Sequence, residues 1–418
     1  MAATPWGLFA SNTLKPTNRV PNQRPRCLRM AEWFRKARRL QQLPPYLFAE
    51  IDRKKAEAIR AGRDVINLGV GDPDLPTPEP IVRSLQRHVE NPAFHRYALD
   101  QGALEFRAAV ARWFERRYNV ALDPETEVLA LIGSKEGIAH LPLGLVDPGD
   151  VVLVPDPAYP VYATLSRFAG AEVHRMPLDA ARGFLPDLEG VHPRLWERCK
   201  LVFLNYPNNP TTAVADEAFY QELVERAHRY RFLIAQDAAY AELYYDRPPL
   251  SILQVPGARE VAIEFHSFSK TFNMTGWRLA FAVGAAPVVA ALAQVKANCD
   301  SGVFTAIQFA GIDALEAYQE LTEPLRATYR RRRDTLLRGL QQLGWSVRPP
   351  AATFYLWVST PAGLSSTETA TRLLEQADIV VTPGVGFGQY GEGYVRFALT
   401  VPEHRIQEAV DRIGKLTF

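Results

Sequence analysis

The feature that most limits the folds open to this chain is a series of apolar runs through its middle. They lie at residues 128–132, 151–154, 171–175, 201–205, 232–235, 261–266 and 279–283. Each has the length of a strand, and all but 171–175 are apolar at successive positions, not at every second one. A strand with one wet face alternates; a strand covered on both faces does not. Helix-like stretches, for example 216–230 and 286–297, lie between the runs. Strands joined through helices pair in parallel, because a tight turn cannot return the chain to the same end of a sheet. The pattern therefore predicts an α/β fold built on a mostly parallel seven-stranded sheet covered by helices.

The pattern changes toward both ends. Beyond about residue 310 an Arg-rich helix (323–343) leads to strands at 354–358, 379–382 and 394–398, which predicts a smaller α+β domain. Upstream, Pro44-Pro45 and Gly62 bracket a helix, a short strand follows at 65–68, and the loop GVGDPDLPTPEP comes next. These shifts divide the chain into 1–29, an arm with part of the small domain (30–75), a large domain (76–308) and a small C-terminal domain (309–418). Residues 1–29 carry five basic and no acidic side chains, four prolines and a single serine. They read as a disordered tail or a misassigned start with Met30 as the natural one. A transit peptide is the alternative, with a plastid rather than cytoplasmic location as its consequence.

Charge narrows the function classes. The 418 residues hold 48 basic and 46 acidic side chains, a net +2. That balance argues against nucleic acid or an anionic membrane as partner. No apolar run reaches the roughly 18 residues that a membrane helix needs. Three scattered cysteines form no CxxC pair, and the eight histidines show no HExxH spacing, so no metal site is expected. The motif Gly386-Phe387-Gly388-Gln389-Tyr390-Gly391 matches GxGxxG but joins strand to strand, so it does not read as a dinucleotide site.

Lysine is scarce. Only nine occur, at 15, 36, 54, 55, 135, 200, 270, 296 and 415, against 39 arginines. Arginine is a permanent cation, whereas lysine can lose its proton and act as a nucleophile. Most of the nine lie in charged helices, at strand edges or near the termini. Lys270 instead follows an apolar strand, in His266-Ser267-Phe268-Ser269-Lys270. Two neighbouring strands also end in chemistry: 201–204 runs into Asn205-Tyr206-Pro207-Asn208-Asn209, and 232–235 into Gln236-Asp237-Ala238-Ala239-Tyr240. Ligands of open α/β sheets sit at such carboxyl ends. Gly133-Ser134-Lys135-Glu136-Gly137 opens a helix after the strand VLALI, which suits a phosphate or, more simply, a helix cap. An amine for an aldehyde, a carboxylate for a ring nitrogen, Asn and Tyr for a ring oxygen, and a helix N-terminus with Ser and Arg for a phosphate together describe pyridoxal 5′-phosphate.

SFSKTFNMTGWRLAF, with NYPNNPT and DAAYAEL upstream, resembles the class I/II aminotransferases, pyridoxal-phosphate enzymes of fold type I. The resemblance runs from about Met30 to the C-terminus. It implies Lys270 as the lysine that carries the cofactor and shuttles the proton, and Asp237 as partner of the pyridinium nitrogen. Tyr240 and Asn209 would bond the ring oxygen. Ser134, Lys135, Ser267 and Arg278 would hold the phosphate, and Tyr159 would stack on the ring. Tyr97 resembles the tyrosine that reaches the partner subunit's phosphate, which implies a homodimer. Arg396, in GYVRFAL, matches the clamp for the substrate α-carboxylate, and Gly69, Val70 and Gly71 match the loop over the substrate, where Asn209 also contributes. The family's NPTG reads Asn209-Pro210-Thr211-Thr212 here, placing a β-branched residue where glycine is usual, and Asn209–Pro210 is a candidate cis bond.

PPYLFAEI, IGSKEGIAHLPLGLVDPGD and VKANCDSGVFTAIQ look closest to the L,L-diaminopimelate aminotransferases of lysine biosynthesis. An aspartate- or alanine-type aminotransferase and a C–S lyase on the same fold remain open alternatives. A transcription regulator built on this fold would need a DNA-binding domain, for which residues 1–29 are too short.

Overall fold

The structure, a computed structural model, describes residues 35–41, 43 and 47–417. The expectations for residues 1–29 lie outside the described residues. The chain divides into two units, Met1–Pro44 and Pro45–Phe418. In the first, the described residues form one short helix, Arg38–Gln41.

The second unit opens with the helix Leu47–Arg60, followed by Gly62 at φ +77°. Twelve strands then occur among the described residues. β1 (Ile66–Asn67) precedes β2 (Val128–Leu131), β3 (Val151–Asp156), β4 (Glu172–Pro177), β5 (Cys199–Asn205), β6 (Leu233–Asp237), β7 (Ala262–Ser267) and β8 (Ala280–Gly284). β9 (Tyr355–Ser359), β10 (Ile379–Val380), β11 (Thr382–Pro383) and β12 (Tyr394–Ala398) complete the set.

Seven of these form the main sheet, in the order β2-β8-β7-β6-β5-β3-β4. Only β8 runs antiparallel to its neighbours; the other pairs are parallel. The apolar continuity of the strands has its cause here. In β5, Val202 and Leu204 enter one core cluster while Leu201 and Phe203 enter the cluster on the opposite face. The edge strand β4 is largely solvated and correspondingly polar.

The covering helices start and stop at recognisable signals. Asp216 caps Glu217–Tyr230 by accepting from Phe219 N at 2.9 Å, and Arg231 ends the helix at φ +61°. The long Arg-rich helix begins at Tyr318, upstream of the expected residue 323, and carries Pro324 inside it. Burial of Leu321 and Thr322 on the added turn offsets the hydrogen bond that proline cannot make. β9, β11 and β12 form an antiparallel sheet, and β1 pairs in parallel with β10. The N-terminal segment thus joins the C-terminal strands. The 384–391 segment, where the GxGxxG match lies, folds as two short 3₁₀ turns before β12 and opens no helix.

Three X–Pro bonds are cis, Asp156–Pro157, Tyr206–Pro207 and the expected Asn209–Pro210. Thr212 adopts the glycine conformation, φ +64°, despite its branched Cβ. Its amide donates to Asn208 O at 2.9 Å, closing the turn that presents Asn209. A left-handed L-residue costs about 1–2 kcal/mol, and glycine's added chain entropy gives back about 0.5–1 kcal/mol of any relief. Thr212→Gly is therefore expected to leave thermal stability unchanged or raise it slightly; a clear fall in Tm would mean that the threonine side chain outweighs the backbone strain.

Candidate active site

The parallel register of β5, β6 and β7 aligns their carboxyl ends. Asn205 sits opposite Asp237, and Asp237 opposite Phe265, so Ser267 emerges just beyond. Asn205 strengthens the junction by donating from Nδ2 to Asp237 O at 2.8 Å and accepting Asn209 N at 2.8 Å. A cavity of about 490 Å³ opens over this edge. Its lining includes Lys270, Asp237, Tyr240, Asn209, Ser134, Lys135, Ser267, Arg278, Tyr159, Arg396 and Gly71. The site residues named from the sequence all line it except Gly69, whose carbonyl accepts from Arg396 and Thr382, and Tyr97, which lies 95 % exposed elsewhere.

The half-buried Lys270 follows β7 on the short helix Phe268–Thr271 and donates from Nζ to Gly71 O at 3.0 Å. Burial pulls its pKa down to about 8, and the nearby Arg396 and Arg278 act in the same direction against Asp72. Asp237 is buried and forms no ion pair among the described residues. It accepts Tyr162 OH at 2.7 Å and Ala239 N at 3.2 Å. Burial pushes its carboxyl up, and the bond from Tyr162 opposes that shift.

Arg396, on β12, is 2 % exposed. It donates to Asn209 Oδ1 at 2.6 Å and Gly69 O at 2.8 Å, and its guanidinium lies 4.1 Å from the Tyr355 ring centroid. No carboxylate pairs with it among the described residues, and its Nε has no partner there. A buried cation in this state is poised for an anion. The loop from Gly69 is held by two hydroxyls besides Arg396, since Thr382 donates to Gly69 O at 2.7 Å and Thr400 to Val70 O at 2.8 Å. Beyond it, Asp74 accepts both Arg332 guanidinium nitrogens at 2.6 and 2.8 Å.

The turn after β2 is built for close approach. Gly133 has φ +80°, and a Cβ there would lie 2.1 Å from an Arg278 guanidinium nitrogen. Arg278 therefore occupies the space that a side chain at 133 would fill. The helix Ser134–Leu145 begins without a side-chain cap, so the simpler reading of Ser134 as a capping residue fails. Ser134 and Lys135, at the positive pole of this helix, line the cavity.

Two lining tyrosines escaped the sequence reading. Tyr162 stands three residues after Tyr159, at the start of the helix Val161–Phe168, and bonds Asp237. Tyr355, on β9, shares a 3.0 Å hydroxyl contact with Tyr240. Both sit where aromatics read as ordinary core, and neither carries a motif of its own.

Residues 63–413 match the family described as aminotransferase class I and II. A curated relative, the LL-diaminopimelate aminotransferase of Moorella thermoacetica, is 53 % identical over 391 residues, covering 92 % of this chain and 100 % of its own length. Among solved structures, a probable N-succinyldiaminopimelate aminotransferase from Thermus thermophilus superposes with a TM-score of 0.84 at 37 % identity, covering 88 % of this chain and 99 % of that one. The aspartate aminotransferase of Thermus thermophilus with maleate gives a TM-score of 0.84 at 32 % identity over 91 % of this chain and 99 % of that one. An α/β sheet whose strand ends gather an amine, a buried carboxylate and an unpaired guanidinium in one cavity, along a chain matched nearly end to end, places this protein in the class I and II aminotransferases, which use pyridoxal phosphate.

Proposed function

We propose that the chain moves an amino group between L,L-diaminopimelate and 2-oxoglutarate in the cytoplasm, aminating tetrahydrodipicolinate in the biosynthetic direction. The observation that carries the substrate is the likeness over 92 % of the chain to enzymes named for it.

The cavity fits pyridoxal phosphate at three points. The Gly133 turn with Arg278 against it is a cradle for the phosphate. Asp237, buried and outside any ion pair among the described residues, suits a protonated ring nitrogen. Lys270 offers an amine near pKa 8 for the aldehyde. Ser134, the Lys135 backbone N–H, Ser267 and Arg278 would hold the phosphate, Tyr159 would lie on the ring, and Tyr240 and Asn209 would bond the ring oxygen. Asn209 accepts from Arg396 through Oδ1, so Nδ2 is the atom left to donate. When bound, the cofactor supplies an electrophilic carbon for amines and a ring that withdraws electrons from the substrate Cα.

The protein's part is placement and proton handling. Arg396 presents a planar fork to the substrate α-carboxylate, fixing the direction of the Cα–H bond. Lys270, neutral in an appreciable fraction near pH 8, would be the base that takes that proton and holds it at Nζ. Asp237 would face the ring nitrogen; burial raises its pKa, and the Tyr162 bond works against that rise by favouring the charged form.

The reading includes a homodimer. Tyr97, Leu99, Leu104 and Phe304 are exposed at 95, 70, 44 and 39 %. The backbone of Gly302 packs on Leu99, bringing the patch together, and an aromatic so exposed gains most when a second copy covers it. In that arrangement Tyr97 reaches the partner's phosphate.

Five outcomes test this reading. A donor screen with 2-oxoglutarate should favour L,L-diaminopimelate over aspartate, alanine and cystathionine; keto-acid release without transfer would indicate a lyase. Lys270→Ala should lose roughly 10²–10⁴-fold or more in turnover, and Asp237→Ala should slow the proton-transfer step while leaving substrate binding largely intact. Arg396→Gln should lower kcat/KM by roughly 10²-fold, chiefly through KM. Attachment of pyridoxal phosphate to the apoprotein, followed by visible absorbance, should speed up as pH rises because the neutral amine attacks. Its midpoint should fall near 8, and one close to an ordinary lysine's 10.5 would contradict the burial of Lys270.

A further inference from the structure

Lys296 is fully buried on the helix Ala286–Cys299, far from any predicted role. Its ammonium lies 3.4 Å from Glu136 Oε1, 3.4 Å from Asp300 Oδ2 and 3.2 Å from Ser301 O. His140 Nδ1 adds a contact 3.0 Å from Glu136 Oε1 and 3.7 Å from Asp300 Oδ2. Two carboxylates and an imidazole this close resemble a metal cage. The lysine, however, already supplies the cation at its centre.

Glu136 connects this cluster to the cavity. Its Oε2 accepts Ile132 N at 2.7 Å, and its own N–H donates to Gly133 O at 3.1 Å. It therefore grips, from both sides, the turn whose next residues are Ser134 and Lys135. Burial pushes the Glu136 carboxyl up, and Lys296 is the first group that opposes this. Without the ammonium, two half-buried carboxylates would face each other, and one would protonate or swing away. Either change loosens the grip on the turn.

We propose that Lys296 is a positioning residue for the cofactor phosphate, acting through Glu136 on the Ile132–Lys135 turn. The inference rests on the reading that Ser134, Lys135, Ser267 and Arg278 hold the phosphate.

The test compares apoprotein affinity for pyridoxal phosphate with that for pyridoxal, which lacks the phosphate, by visible absorbance. Lys296→Met should weaken pyridoxal phosphate roughly tenfold or more, as loss of buried supporting partners does elsewhere, and leave pyridoxal within about twofold; Lys296→Arg should restore most of the difference. Equal weakening of both compounds, or no effect on either, overturns the proposal. If Lys296→Met does not fold, Glu136→Leu takes its place, since it keeps roughly the volume while removing both the charge and the acceptor for Ile132 N–H. It should show the same selective loss, and a non-selective or absent one overturns the proposal equally. Arg278→Ala run alongside separates the two readings. If it too fails to discriminate between the compounds, the phosphate placement is wrong. If it discriminates and Lys296→Met does not, only the role of Lys296 falls.

Discussion

The register that pairs Asn205 with Asp237 and Asp237 with Phe265 is the constraint on which the rest of the molecule turns. A slip of one residue would rotate Asp237 from the cavity into the opposite core and bury a charge among apolar side chains. The register is held by the strands' interiors. Leu201, Val202, Phe203 and Leu204 are all fully buried and lock into cores on both faces. Apolar packing that has no part in chemistry thus decides where the polar strand ends emerge. The Asn205 bonds to Asp237 O and Asn209 N then tie two of those ends into one rigid corner.

On that frame the site accumulates electrostatic cost. Asp237 and Arg396 are buried, and neither has a countercharge among the described residues. Hydrogen bonds from Tyr162 to the carboxylate, and from the guanidinium to Asn209 and Gly69, hold both groups in place without neutralising them. Solvation by fixed dipoles keeps a charge oriented and available, whereas a salt bridge would satisfy it. Lys270 responds to the same field, since burial and the two arginines favour its neutral form. Charge elsewhere in the structure is treated differently: Arg332 with Asp74 and Lys296 with Glu136 are paired and hold loops and turns in position.

Much of this was legible in the sequence because the residues that do chemistry stand at strand ends. Lys270, Asp237 and Asn209 interrupt apolar runs with side chains that have no reason to be there otherwise. Arg396 was legible only within the whole pattern, since a lone arginine on a strand reads as solvated. Tyr162 and Tyr355 were not legible. An aromatic on a helix or an inner strand looks the same whether or not its hydroxyl has a partner. Lys296 was passed over for a related reason. Its neighbours Gln294, Asn298 and Asp300 read as a wet helix face, and only packing of that helix on the one after β2 reveals the burial. Thr212 shows the reverse case, where sequence raised a doubt about the turn and the backbone took the glycine conformation regardless.

The contact between Gly133 and Arg278 has a consequence for how this chain can change. A methyl group at 133 and a full-length arginine at 278 cannot occupy the same space, so the two positions, distant in sequence, form one unit of variation. A substitution at 133 pushes the guanidinium off the turn, and a shorter residue at 278 leaves a gap that the bare glycine cannot fill. A redesign toward a cofactor with a different anionic group must alter both together. A drifting sequence that loses the glycine first would pass through a form with its anion cradle already broken.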